Sequence, residues 1–345
     1  MKKPKVRKPK VYTPIDYPPP PLKVSPLKEY VFPKVKGRPK VLMIADQKGW
    51  GAWKRGEYIQ KLLSDEFELD LIDLRTFLDN FEDIKEKNYK VLYALLHILM
   101  RYGKVREMSE KIKTIATVTS RQILKPSFGH EMEARIKNFR IFTKHVNILI
   151  VNNLLVRPEA EKYFRGPVRY APRGVDPDVF RFTKYPMDKQ FTVFYVGKPV
   201  IEKGLKFYIK PACKRAGARL ITNTRNFTNA LSEEEMMLAY NNSNAYVVAS
   251  IIDGTPNPAL EAAACGRPII SNAIGNMPEF IEEGENGFLV PMEVSAYASK
   301  LKWMVNNREK AAAMGQRARE TVLKGWTWDY ILNKYQRHVL RELLN

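Results

Sequence analysis

Cysteine is nearly missing from this sequence: Cys213 and Cys265 are the only two in 345 residues. That excludes a disulfide framework and a four-cysteine zinc site, and it fits a reducing, cytoplasmic setting. Long apolar runs are missing too. The densest, 91–100, is broken by His97 and falls well short of the ~18–20 residues of a spanning helix, so the chain is not expected to cross a membrane. Proline and lysine stand where a signal peptide would place its apolar stretch, and secretion by that route is not expected. Negative charge is the third shortage. Asp and Glu number 37 against 58 Lys and Arg, a formal net charge of +21, and such an excess points to an acidic partner.

What is present is globular material, 45% apolar and 28% charged, sufficient for sizeable cores over a length that suggests two domains. Residues 1–40 stand apart, with twelve Lys or Arg, two acids and ten prolines, a net charge of +10. Such a segment is extended and polyproline-like and builds no core of its own. It reads as a basic Pro-rich extension over 1–38, either a solubilising strap or an arm for nucleic acid or membrane. The apolar run at 41–46 reads as a buried parallel strand, followed by a turn with Gly49 and Gly51 and an amphipathic stretch over 53–63. Strand-like runs at 68–72, 114–118 and 147–151 alternate with helical stretches near 77–87, 90–110 and 129–143. The rhythm restarts at 191–196, with further strands at 219–222, 245–248, 268–271 and 287–290. This alternation predicts parallel sheets covered by helices on both faces. Two successive α/β units follow, over 39–180 and 188–325, with a last helical segment over 326–345. Ligands of such sheets bind in clefts at strand C-termini.

The chemistry concentrates in Asp253-Gly254-Thr255-Pro256-Asn257-Pro258 and, eight residues after Asp253, Glu261. A strand enters this loop and an alanine-rich helix leaves it, a helix N-terminus whose free N–H groups can hold a phosphate or sugar oxygens. The two carboxylates can accept hydrogen bonds from hydroxyls. Upstream, Gly197 closes a strand and is followed by Lys198 and Lys203, five apart. Lysines usually decorate solvated faces, and alone this pair at a strand end is a weak signal.

Together these residues resemble the retaining glycosyltransferases of GT-B fold, family 4 (glycosyltransferase group 1), whose hallmark is two acids separated by seven residues and then Glu-Ala-x-Ala-x-Gly-x-Pro. Glu261 matches the second acid, and Asp253 stands where the family usually has Glu. The resemblance implies an α/β, GT-B fold of two Rossmann-like domains facing a central cleft, with 39–180 on the acceptor side, 188–325 holding the nucleotide-sugar and 326–345 packing back toward the first domain. It implies a UDP-, GDP- or ADP-sugar donor and no required cofactor or metal. Glu261 would bind the donor ribose, Asp253 with Gly254, Thr255, Pro256 and Asn257 the transferred sugar, and Gly197, Lys198 and Lys203 the diphosphate. Lys198, Lys203 and Asp253 are the residues implied to carry catalysis. Lys198 replaces the family's Arg, keeping charge and losing bidentate geometry. Gly49 and Gly51 occupy the place of a glycine loop near donor and acceptor, although Gly-x-Gly is also a plain turn. Arg173-Gly174-Val175-Asp176 is similar to the family's Asn-Gly-Val-Asp at the domain junction, and the segment from Gly275 to Glu279 to its glycine-bearing segment. Many relatives carry His after the strand at 114–118, where this chain has Thr119 and Ser120; these bind substrate or form a structural turn. With His130 and Arg173 they are the acceptor-side candidates.

The resemblance does not name the acceptor. Without the extension the chain is still +11, with basic stretches at 85–90, 101–106, 111–113, 135–144 and 157–173. Two polyanions compete. Hydroxymethylated pyrimidines in DNA offer a hydroxyl and a phosphate track, are modified by some viral glycosyltransferases and are the favoured acceptor; a viral chain would work in the host cytoplasm. The alternative is a lipid or polysaccharide acceptor at an anionic membrane surface, with 91–100 or the extension docking peripherally. A third reading is a non-catalytic nucleic-acid-binding protein on a degenerate transferase scaffold.

Overall fold

The computed structural model describes residues 37–120, 132–187, 190–224 and 231–345; most of the basic extension and His130 lie outside the described residues. In the first half β1 (Lys40–Ala45), α1 (Gly51–Leu63), β2 (Glu68–Asp73), α2 (Leu74–Asp79), α3 (Phe81–Lys85), β3 (Val91–Ala94), α4 (Gly103–Lys111), β4 (Lys113–Val118), α5 (Met132–Phe142), β5 (Ile148–Val151), α6 (Arg157–Tyr163) and β6 (Val168–Tyr170) succeed one another. The strands form one parallel sheet in the order β2-β1-β3-β4-β5-β6. In the second half come β7 (Thr192–Gly197), α7 (Lys210–Ala216), β8 (Arg219–Thr224), α8 (Glu233–Asn241), β9 (Ala245–Val248), α9 (Asn257–Ala264), β10 (Ile269–Ser271), α10 (Met277–Phe280), β11 (Gly287–Leu289), α11 (Val294–Asn306) and α12 (Arg308–Gly325). These strands form a second parallel sheet, β11-β10-β9-β7-β8. Two further helices close the described chain, α13 (Trp328–Ile331) and α14 (Arg337–Leu344).

Helices on both faces explain the uninterrupted apolar strands: every residue of β3, β5 and β9 is buried. Successive residues of β1 serve opposite cores, Leu42 and Ile44 on one face and Val41, Met43 and Ala45 on the other. The second face is completed from far along the chain by Trp328, Leu332, Val339, Leu340 and Leu343, and burial of each such side chain contributes roughly 1.5–3 kcal/mol. At the rim Arg337 and Arg341 pair with Glu66, and Arg169 with Glu342.

Two expectations need correction. The stretch at 90–110 is not one helix. It begins with β3, passes through a 3-10 turn (His97–Arg101) and becomes helical at Gly103. The apolar run once eligible for membrane docking therefore opens with a strand whose four residues are fully buried, unavailable to a lipid. The short β6, inside a stretch read only as basic, pairs Val168 with Leu149 and ends the sheet.

In both sheets the strand order reverses beside the first strand, between β1 and β3 and between β7 and β9. Parallel sheets bind ligands at such switch points, outside the strands' carboxyl ends.

Candidate functional site

At the switch point of the second sheet two loops are drawn together. Gly204 has φ +65°, and a side chain there would run into the carbonyl oxygen of Ala249, so glycine alone lets the segment after β7 lie against the exit of β9. The Ile251 amide donates to Glu202 O at 2.8 Å, tying the loops. As a result Lys203 Nζ reaches Asp253 Oδ2 at 2.5 Å, with Ser250 Oγ 3.4 Å from the same oxygen and the Gly254 amide donating to Oδ1 at 3.0 Å. Both side chains of the pair remain partly open to solvent. Glu261 sits in the second turn of α9 and accepts from Tyr240 Oη of α8 at 2.7 Å. The carboxylate spacing thus becomes one acid on the loop and one on the helix behind it.

The start of α9 differs from the sequence expectation. The Asn257 amide donates to Thr255 O, Pro258 has no amide hydrogen, and the Ala259 amide donates to Pro256 O. Its amides are largely committed inside the loop. The less encumbered helix start is α1: Trp50 is its N-cap, no side chain caps it and its first turn contains no acid, so its dipole favours an anion.

The halves touch around these residues. Gly254 has no room for a side chain because Thr119, after β4, stands against it. Asn153 donates to Gly254 O at 2.9 Å and to Thr119 O at 3.0 Å, and Asn152 to Thr255 Oγ1 at 3.2 Å. Lys198 Nζ lies 4.7 Å from the centre of the Trp50 ring, a cation–π contact across the cleft. Glu279 on α10 accepts from the Leu154 amide and from Tyr170 Oη, each at 2.5 Å. Its burial in that contact pushes its pKa up to about 7 against those hydrogen bonds. Arg173 lies at the junction, donating to Gly51 O with its guanidinium 5.8 Å from the Trp328 ring. Burial and the neighbouring Arg55 lower its pKa to about 10, while Glu261, Asp253 and Asp46 oppose the shift; it stays cationic at neutral pH.

Lys203, Asp253, Glu261, Gly254, Thr255, Thr119, Gly51, Lys198 and Arg173 therefore belong to one neighbourhood. Pro256 and Asn257 form the root of α9 and Gly197 ends β7. Gly49 is an exposed turn residue with φ +78°, where a side chain would meet open space, and Ser120 is half-buried beside Thr119. Among the described residues no cluster of three or more His, Cys, Asp or Glu could hold a metal ion. Sequence reasoning missed Asn152, Asn153 and Tyr170. The asparagine pair directly after an apolar strand was a usable signal, since that is the ligand-proximal end of a parallel strand; Tyr170 offered none.

Residues 208–321 match the family model described as glycosyl transferases group 1. Among curated proteins, the chain is 33% identical over 78 residues to N-acetyl-alpha-D-glucosaminyl L-malate synthase of Bacillus anthracis, covering 22% of this chain and 20% of the relative. It is 32% identical over 84 residues to a GDP-mannose-dependent alpha-(1-6)-phosphatidylinositol monomannoside mannosyltransferase of Mycobacterium tuberculosis, covering 24% and 22%. These matches span about a fifth of each relative's length. Among solved structures, sucrose-phosphate synthase from Thermosynechococcus elongatus superposes with a TM-score of 0.73 at 16% identity, over 89% of this chain and 99% of that one. The fold is α/β, of the GT-B type with two Rossmann-like sheets.

Proposed function

We propose that this chain is a glycosyltransferase that moves a sugar from a UDP-, GDP- or ADP-sugar to an acceptor hydroxyl. The observation that carries this reading is the Lys203–Asp253 pair, set beside Glu261 at the carboxyl edge of the second sheet within the segment that matches the family model. In this reading 188–325 holds the nucleotide, 39–180 receives the acceptor, and 326–345 belongs with the first half. Glu261 takes the ribose hydroxyls, Asp253 and the loop through Asn257 the sugar, and Lys198 with Lys203 the diphosphate. The reaction retains anomeric configuration by front-face attack: the bond from the anomeric carbon to the diphosphate oxygen breaks, the bond to the acceptor oxygen forms, and the acceptor proton passes to the departing diphosphate. The lysines stabilise charge that grows as the diphosphate leaves, an interaction stronger in the transition state than in the ground state, and no metal is needed for it.

The acceptor is carried by a polyanion. DNA with hydroxymethylated pyrimidines is one carrier, supported by the net charge of the chain. An anionic lipid surface has more specific support. A groove of about 520 Å³ beside α5 and α6 is lined by Ile136, Ile141 and Tyr163 among Lys137, Arg140 and Lys144, and Ile141 is 45% exposed. Exposed apolar groups between cations gain little on a duplex, whereas at a bilayer they bury themselves while the cations meet phosphate. The names of both relatives also carry an anion, L-malate in one and phosphatidylinositol in the other. Incubation with a panel of nucleotide-sugars and either hydroxymethylated DNA or vesicles with anionic lipid, read by mass spectrometry, tests both readings. Transfer to neither, with no donor hydrolysis, would overturn the transferase reading and leave a non-catalytic scaffold.

A further inference from the structure

Two buried polar atoms of the cleft have no hydrogen-bond partner among the described residues: Asp46 Oδ1 and Arg173 Nε. Asp46 directly follows β1, at the switch point of the first sheet. Arg173 comes from the segment after β6, and its guanidinium, with five N–H donors, spends one hydrogen bond on Gly51 O. Asp46, Asp253 and Glu261 all act electrostatically on Arg173. Leaving a buried donor or acceptor unsatisfied destabilises the fold, and these two could have cancelled by pairing. Asp46 lies close enough to Arg173 to act on it electrostatically, and among the described residues no hydrogen bond joins the two. A molecule that satisfies both must offer an anionic oxygen to the guanidinium and a hydroxyl hydrogen to the carboxylate. The cations assigned to the donor diphosphate, Lys198 and Lys203, come from the other half.

We infer that Asp46 and Arg173 form the acceptor subsite, and that the acceptor is an alcohol bearing a phosphate or carboxylate. Arg173 holds the anion and Asp46 accepts the hydrogen bond of the hydroxyl to be glycosylated in the resting complex, orienting its oxygen toward the sugar. As the bond from the anomeric carbon to the diphosphate breaks, the hydroxyl turns its hydrogen from Asp46 to the departing diphosphate oxygen, which takes the proton, and Asp46 ends as it began. This assignment rests on the transferase reading. It also supplies an acceptor-side carboxylate in a chain that has Thr119 and Ser120 where relatives carry histidine.

The test uses calorimetry on the full chain with a nucleoside diphosphate bound, titrating L-malate, glycerol 1-phosphate and inositol 1-phosphate against glycerol and inositol. Charge-assisted hydrogen bonds of the size expected here make the wild type prefer at least one anion-bearing alcohol over its neutral counterpart by about 10- to 100-fold. Arg173→Gln should erase that preference, Arg173→Lys should keep part of it, and both should bind nucleoside diphosphate within about threefold of wild type, which also reports that they fold. Asp46→Asn should weaken the alcohols and leave inorganic phosphate binding unchanged. The inference is overturned if the wild type shows no preference for anionic alcohols. It is equally overturned if Arg173→Gln weakens nucleoside diphosphate as much as Lys203→Ala does, because Arg173 then serves the donor. A wild-type chain that binds no nucleoside diphosphate removes the transferase reading, and the subsite with it.

Discussion

Gly254 is where the two halves press most closely, and Gly254→Ala isolates that contact. A methyl group there would lie 2.6 Å from the Thr119 carbonyl carbon and nearer still to its oxygen, whereas real Cβ atoms essentially never approach within 3.0 Å. Both partners are backbone, so neither can swing aside. The easiest escape is to part the halves locally by about 1 Å, a displacement that costs a well-placed active site about 10²-fold in rate. Hydrogen-bond loss gives a similar order independently. Parting breaks the contacts from Asn153 to Gly254 O and from Asn152 to Thr255, a loss of about 2 kcal/mol at roughly 1 kcal/mol each. Since 1.4 kcal/mol is about a factor of ten, the closed-to-open ratio falls about 30-fold. Steady-state transfer, or donor hydrolysis where no acceptor is in hand, should show that loss in kcat, and X-ray scattering should show a more open particle. Each half keeps its own cores, so Tm should fall by no more than a few degrees. Wild-type kcat in Gly254→Ala would refute the reasoning, as would a large cooperative loss of Tm, which would mean that the loop is a core element and not a contact between halves.

Other perturbations follow from the same geometry. Lys203→Ala should lower kcat by about 10²- to 10³-fold at saturating donor; a rise in donor KM alone would show that the lysine only binds. Tyr240→Phe releases the hydrogen bond that holds Glu261 and should raise donor KM about tenfold with kcat little changed, as initial-rate kinetics would reveal. The pH dependence has a definite sign. Burial raises the Glu279 pKa from its ordinary 4.5 to about 7, so its contribution is complete below pH 4.5 and lost as pH rises through 7, up to about 3 kcal/mol in all. Thermal melts should register that loss between pH 4.5 and 7, and Glu279→Gln, which leaves Tyr170 and the Leu154 amide in place, should flatten it. EDTA should leave the transfer rate unchanged; a rate restored only by added divalent cation would reassign charge stabilisation away from the lysines.

The sequence carried the sheets well because both are parallel: strands covered on two faces leave continuous apolar runs, and the helices between them punctuate the rhythm. The same property hid β3. A four-residue strand buried on all sides, followed by an apolar 3-10 turn and a helix, has no periodicity to separate it from a longer helix. The three residues of β6 were masked by the arginines around them. At the site, spacing along one strand–loop–helix unit was enough to single out Asp253 and Glu261, because they share a loop junction, while Lys203 stood out only by its place after another strand end. Contacts between halves leave no such trace. Asn153 meets Gly254 across 101 residues and Tyr170 meets Glu279 across 109, distances at which pairing depends on the finished fold.

The side chains of α13 and α14 that complete the β1 core have a consequence for how the chain is made. Trp328, Leu332, Val339, Leu340 and Leu343 pack beside Val41, Met43 and Ala45, yet a ribosome makes them only after the whole second sheet. While that sheet is translated, the face of β1 opposite Leu42 and Ile44 has only part of its cover, from Ala52, Ile59 and Leu63 of α1, and a nascent chain paused in that interval should be a substrate for holding chaperones. Pulse proteolysis of stalled intermediates would find the first half protease-sensitive until Leu343 emerges and resistant afterwards, although every strand of its sheet was synthesised long before.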